Sequence, residues 1–193
     1  AQLHHLAWAR DDREVVPFEA AKSVGSEETF AADIDDPAAL AREVLRCCVR
    51  VGRRLREAGL AGRTVTLKLR FADFRTITRG RTLAVATDTD TDLHEVAADL
   101  LARLQLGRAP VRLVGVTASN LQRAGAPVQL RLGPERPGWE AAVRAADAVR
   151  ARFGDGAIDL ASLAAEGPAE AYAEARQTPR PRRQPLLPPD PEP

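Results

Sequence analysis

The sequence predicts an α+β fold: a four-stranded sheet built in the order β-α-β-β-α-β, with two helices on one face and the other face open. Three patterns carry this expectation. From Thr64 to Arg70 polar and apolar residues alternate, with Thr64, Thr66, Lys68 and Arg70 on one face and Val65, Leu67, Leu69 and Phe71 on the other. That is the period of a strand with one wet side. Between Asp36 and Gly59, Leu40, Val44, Cys47 or Cys48, Val51 and Leu55 recur at helical spacing. A second helical pattern, with Val96, Leu100 and Leu104 inward, separates the central hairpin from the last strand.

Taken in order, Leu3 to Trp8 reads as the end of a helix, and the charged stretch Arg10 to Ala21 follows it. Ser23 to Ala32 reads as the first strand. Asp36 then offers a side-chain cap and Pro37 a first helical residue whose missing N–H costs nothing, while Gly59 ends the helix. The second strand runs from about Thr64 to Ala72, the turn from Asp73 to Thr76, and the third strand from about Ile77 to Ala86. Asp92 is the expected cap of the second helix and Gly107 its stop. The fourth strand is expected from Val111 to Ser119. A further helix fits Gly138 to Phe153, with Val143, Ala146 and Val149 on one side, before Asp155-Gly156 turns the chain toward Ile158 to Leu163.

Two strands break their own alternation. Arg79 and Arg81 share parity with Leu83 and Val85, which a bulge near Gly80 to Thr82 resolves; Val111 and Leu113 are out of step with Val116 and Ala118, which places a bulge at Val114-Gly115. With those bulges, the open face carries the charge. Between Arg63 and Ala86 six cations (Arg63, Lys68, Arg70, Arg75, Arg79, Arg81) stand against Asp73, although the whole chain has a net charge of only +1. Such focusing suits a polyanion; a merely solvated charged face is the other reading.

Three segments extend the argument. Lys22-Ser23-Val24-Gly25-Ser26-Glu27-Glu28-Thr29-Phe30, Thr78-Arg79-Gly80-Arg81-Thr82 and Pro110-Val111-Arg112-Leu113-Val114-Gly115-Val116 together resemble the little finger domain of Y-family DNA polymerases, nearest to the DNA polymerase IV branch. The resemblance covers roughly Leu3 to Gly133. It implies a domain that grips template-primer duplex through its backbone beside a polymerase core, in a parent protein that performs translesion synthesis in DNA replication and repair. It also implies residues 1–21 as the end of the thumb and its linker, 22–121 as the little finger and 122–136 as a second linker; beyond the resemblance, the helical pattern reads as an extension over 137–175, and the recurring prolines from Arg176 read as a disordered or partly polyproline-II tail over 176–193.

The absence of methionine and the start at Ala1 suggest a piece of a larger protein. No apolar run approaches bilayer length and no signal peptide is visible, which reads as a soluble, cytoplasmic chain; the resemblance further implies a bacterial, nucleoid-associated one. Of 28 basic residues only Lys22 and Lys68 are lysine, but arginine is as frequent in the helices and tail, so only the local excess on the hairpin bears on function. The adjacent Cys47 and Cys48 cannot reach ordinary disulfide geometry within a helix and read as reduced packing residues. His4, His5 and His94 lack metal-site spacing. Asp33, Asp35 and Asp36, and Asp88, Asp90 and Asp92, fit loop and cap positions better than metal ligands. The family's catalytic carboxylates belong to the palm, so neither nucleotidyl transfer nor a cofactor is expected of this chain, while the parent is expected to use Mg²⁺.

Phosphate contact favours arginine, hydroxyls and backbone amides. The expected DNA-binding set is therefore Ser23, Gly25, Ser26, Lys68, Arg70, Arg75, Thr76, Thr78, Arg79, Arg81 and Arg112. Phe71 has core parity and Phe74 lies in the turn, so base stacking in the manner of an RNA-binding sheet is not expected. Gln129, Leu130 and Leu132 resemble a sliding-clamp motif, in which the glutamine bonds clamp backbone and the leucines fill an apolar pocket; Gln184-Pro185-Leu186-Leu187 is a rival. Expected partners are template-primer DNA, the sliding clamp and the parent's catalytic core, with no membrane. The alternative is a stand-alone ferredoxin-like regulatory or protein-interaction domain.

Overall fold

In the computed structural model, which describes residues 2–11, 13–14, 20–125 and 139–164, β2 (Leu60–Phe71) is an inner strand. It pairs antiparallel with β3 (Thr76–Thr87) on one side and β4 (Val111–Arg123) on the other; β1 (Ser23–Ile34) pairs antiparallel with β4. The sheet order is β1-β4-β2-β3, so β1 and β3 are the edges. Val65, Leu67 and Leu69 are buried on one face of β2, as their alternation requires.

Two helices cover that face. α2 (Pro37–Glu57) starts where Asp36 accepts hydrogen bonds from the Ala38 and Ala39 amides at 3.1 Å each, and it ends at Gly59, whose φ of 64° is the left-handed conformation that closes a helix. Val44, Cys47, Cys48, Val51 and Leu55 form its buried stripe. α3 (Asp90–Ala102) adds Leu93, Val96, Ala97 and Leu100. These meet β2 and the Val111, Val114, Val116 and Ala118 side of β4 in one core.

The expected cap of α3 is corrected. Thr89 is the N-cap, its hydroxyl accepting from the Asp92 amide at 3.4 Å, while the Asp92 carboxylate accepts from the Thr87 hydroxyl at 2.7 Å. Thr89, two residues beyond the strand end at Thr87, leaves no room for an uncapped turn before Asp92.

Both bulges are also corrected. β3 runs in register with β2 from Thr76↔Arg70 to Thr82↔Thr64, and the shift falls between Thr82 and Thr87 rather than at Gly80 to Thr82. On β4 the shift falls at Arg112, between the pairings Leu113↔Arg70 and Val111↔Phe71, rather than at Val114-Gly115. The apolar residues Leu83 and Val85 do not set the register. The continuous core row of β2 sets it instead, and a one-residue slip would turn that whole row outward.

The described residues up to Asp147 belong to one compact unit and those from Ala148 onward to a second. In the first, α1 (Gln2–Ala7) leaves Trp8 68% exposed beyond its end. Also within this unit, Arg56 ties three elements together. Its guanidinium donates to the Asp90 carboxylate at 2.8 Å, the Asp88 carbonyl at 2.6 Å and the Asp147 carboxylate at 2.6 Å, with the side chain only 9% exposed. The helix that carries Asp147, α4, spans Trp139–Phe153. In the second unit Gly154 leads into a 3-10 turn at Asp155–Ala157, Arg150 donates to the Ile158 carbonyl at 3.1 Å, and α5 spans Ala161–Ala164. Gln129, Leu130 and Leu132, expected to form a clamp motif, the rival Gln184 to Leu187, and the proline-rich tail lie outside the described residues.

Candidate nucleic-acid interface

Antiparallel partners share a face, so the register fixes which side chains stand together on the face opposite the helices. Four rows cross the sheet from β1 to β3. The first is Ser23, Ser119, Thr64, Thr82; the second Gly25, Thr117, Thr66, Gly80; the third Glu27, Gly115, Lys68, Thr78; the fourth Thr29, Leu113, Arg70, Thr76. The face is thus dominated by hydroxyls and glycines.

These groups are organised by contacts among themselves. The Thr64 and Thr82 hydroxyls are 2.9 Å apart, and Asn120 donates to the Thr64 hydroxyl at 2.8 Å. Arg70 donates to the Thr76 hydroxyl at 3.1 Å. Lys68 pairs with both oxygens of Glu27, at 2.9 and 3.0 Å. Gly115 permits this, because a Cβ there would stand 2.6 Å from the Glu27 Cγ. At Gly25 the backbone comes close to β4: a Cβ would meet the Thr117 hydroxyl oxygen at 2.8 Å.

The expectation that the open face carries the hairpin's charge is corrected. Its rows hold Lys68 and Arg70 against Glu27, a net charge of +1. Arg79 pairs with Leu67 and Arg81 with Val65, which puts both arginines on the helix side of the edge strand. Arg81 is 2.9 Å from the Asp99 carboxylate of α3, and Arg79 donates to the Thr78 carbonyl at 2.9 Å. Ser26 is likewise corrected: it pairs with Val116 on the helix side and is only 6% exposed. Alternation forces this, since Gly25 and Glu27 flank it on the open face.

Of the remaining expected residues, Ser23, Gly25, Lys68, Arg70, Thr76 and Thr78 stand on the open face. Arg75 lies in the turn, its guanidinium 4.8 Å from the Phe71 ring centre. Arg112, displaced at the bulge, pairs with Asp33 at 3.0 and 3.2 Å and lies 4.7 Å from the Phe74 ring centre. The Arg112 guanidinium holds the Asp33 carboxyl below the ordinary carboxylate range. Thr117, Ser119, Thr82 and Asn120 were missed. Parity from Gly115 onward marks the first two, once the bulge is placed at Arg112.

Four of the six aspartates in the two acidic clusters have structural partners: Asp36 caps α2, Asp33 holds Arg112, Asp90 holds Arg56 and Asp92 receives Thr87. Among the described residues no group of three or more His, Cys, Asp or Glu is placed to hold a metal ion, and no helix is long and apolar enough to cross a membrane.

The impB/mucB/samB family C-terminal domain matches residues 21–132. Curated relatives include DNA polymerase IV of Caulobacter vibrioides, 38% identical over 158 residues, covering 81% of this chain and 39% of the relative. DNA polymerase IV of Streptomyces coelicolor is 44% identical over 119 residues, covering 62% of this chain and 25% of the relative. The chain therefore spans well under half the length of these relatives. Among solved structures, a complex of beta-clamp processivity factor and the little finger domain of PolIV aligns over 58% of this chain and 99% of that one, at 28% identity and a TM-score of 0.43. A Y-family chimera of Dbh and Dpo4 aligns over 62% of this chain and 34% of that one, at 21% identity and a TM-score of 0.48.

Proposed function

The chain belongs to the impB/mucB/samB C-terminal domain family, the little finger of Y-family DNA polymerases, and on that premise we propose that its open sheet face grips template-primer duplex without reading sequence. The observation that carries this is the four-row ladder of hydroxyls and glycines around Lys68 and Arg70, on the face the helices leave uncovered. Hydroxyls, exposed amides and a few cations are the inventory of phosphate contact. Four strands span about 14 Å from edge to edge, close to the roughly 12 Å width of the B-DNA major groove. A flat face of short polar side chains offers no helix to enter that groove and read bases. Arg79, exposed on edge strand β3, extends the grip past the sheet edge.

In this reading the domain places a damaged template-primer beside a catalytic core carried elsewhere in the parent polymerase. The two-metal chemistry, with Mg²⁺, belongs to that core's carboxylates. Gln129, Leu130 and Leu132 tether the whole to a sliding clamp, with micromolar affinity, about −8 kcal/mol, expected of so short a motif. Pull-down on a bacterial clamp checks the tether: loss of binding on removing both leucines supports it, and loss only on deleting Gln184 to Leu187 moves it to the tail. The grip is checked by fluorescence anisotropy with duplexes of unrelated sequence. Equal affinities that weaken together as salt rises support it, and a strong preference for one sequence overturns it.

A further inference from the structure

Phe74 is out of keeping with the rest of the hairpin. It is a large apolar side chain 66% exposed, in a turn, at a φ of 65° that a bulky residue rarely adopts. The conformation is held in place: the Phe74 amide donates to the Phe71 carbonyl at 2.9 Å, the Arg75 amide to the Asp73 carboxylate at 2.9 Å, and the Ala72 amide to the Pro110 carbonyl at 3.1 Å. One side of the ring is occupied by the Arg112 guanidinium, which Asp33 fixes through two hydrogen bonds. A backbone outlier maintained by its surroundings at an exposed aromatic points to use rather than accident.

Its position suggests the use. Phe74 lies two residues before Thr76, which closes the fourth row of the open face opposite Arg70, and Arg75 follows it in the turn. A duplex gripped on the open face and running along the strands toward this turn would bring its end to the ring. We propose that Phe74, backed by Arg112, is a stacking platform for the first unpaired nucleobase beside the gripped duplex. The inference rests on the open-face reading above. Aromatic faces accept any base, and the adjacent arginines hold its phosphate, so the contact adds affinity without sequence preference. The same cations favour nucleic acid over an apolar protein surface as the occupant. The expectation that Phe74 takes no part in stacking rests on its place in the turn, outside the inner strands where an RNA-binding sheet stacks bases, and the proposal departs from it.

The test uses one duplex in two forms, blunt and with a short single-stranded overhang whose first unpaired base is 2-aminopurine. The wild-type chain should prefer the overhang form and quench its fluorescence. Phe74→Ala should weaken overhang binding by roughly tenfold, the size of one base-aromatic stack, with blunt binding unchanged; Phe74→Trp should retain both preference and quenching. Unchanged overhang binding in Phe74→Ala would overturn the proposal and leave the ring as a protein contact. Equal losses on both DNAs would overturn it in favour of a structural role. Failure of the wild type to bind even the blunt duplex would instead overturn the open-face reading itself.

Discussion

Lys68 reaches across Gly115 to place its ammonium 2.9 and 3.0 Å from the two carboxylate oxygens of Glu27. The cation nearest the middle of the open face is therefore matched by an anion on edge strand β1. Both side chains are partly exposed, so the pair is weak and its partner exchangeable. A phosphate arriving on the face competes with Glu27 for Lys68 and is repelled by the carboxylate.

Replacing that carboxylate tests this competition. Glu27→Gln keeps the shape and removes the charge, so duplex binding should tighten by several-fold and its dependence on salt should steepen by about one counterion. Anisotropy titrations at several salt concentrations measure both. A weaker complex would show that Glu27 supports the grip.

Arg81 gives the opposite expectation. Its partner is Asp99 of α3, on the helix side, so Arg81→Ala should leave duplex affinity and salt slope unchanged and reduce stability by at most about 1 kcal/mol. A lost phosphate contact, read as a shallower slope, would return Arg81 to the DNA-facing set.

The buried ion pair at the helix ends is a separate matter of stability. A Cβ on Gly52 would stand 2.1 Å from the Asp90 carboxylate oxygen, so Gly52→Ala must displace Asp90 from Arg56. Leaving a buried guanidinium short of a partner costs about 3–5 kcal/mol, and urea unfolding should register it as a lower midpoint. An unchanged midpoint would mean that Asp88 and Asp147 compensate.

Cys47 and Cys48 are fully enclosed, and burial raises both thiols above their ordinary range. In the native protein neither should react with a thiol reagent near neutral pH, and both should react after unfolding. The unfolded chain gives up these protons above about pH 8.5 while the folded chain keeps them. Stability should thus be intact below that pH and fall as pH rises through it toward the folded values. Rapid native labelling would contradict the packing.

The helices and the inner hairpin strand were legible in the sequence because local rules decide them. Asp36, Pro37 and Gly59 bound α2, and the alternation from Val65 to Phe71 is unbroken. What escaped was decided by pairing across strands. Leu83 and Val85 suggested a face for Arg79 and Arg81, but the register of β2 against β3 carries those arginines to the helix side. Leu113 looked like a core neighbour of Val111, yet the bulge at Arg112 turns it to the open face beside Arg70. Ser26 sat in a motif rich in exposed residues, and only its pairing with Val116 shows that it is buried. Charge counted along a strand does not tell which face it serves.

The salt dependence of duplex binding in Lys68→Ala/Arg70→Ala, set beside the wild type, tests the open-face grip most directly. Both residues stand on the uncovered face and neither contributes to the core. The account predicts weaker binding by the same factor for every duplex sequence and a slope of log affinity against log salt reduced by about two. An unchanged slope and affinity in a folded double variant would contradict it, and would place the DNA contact off the open face.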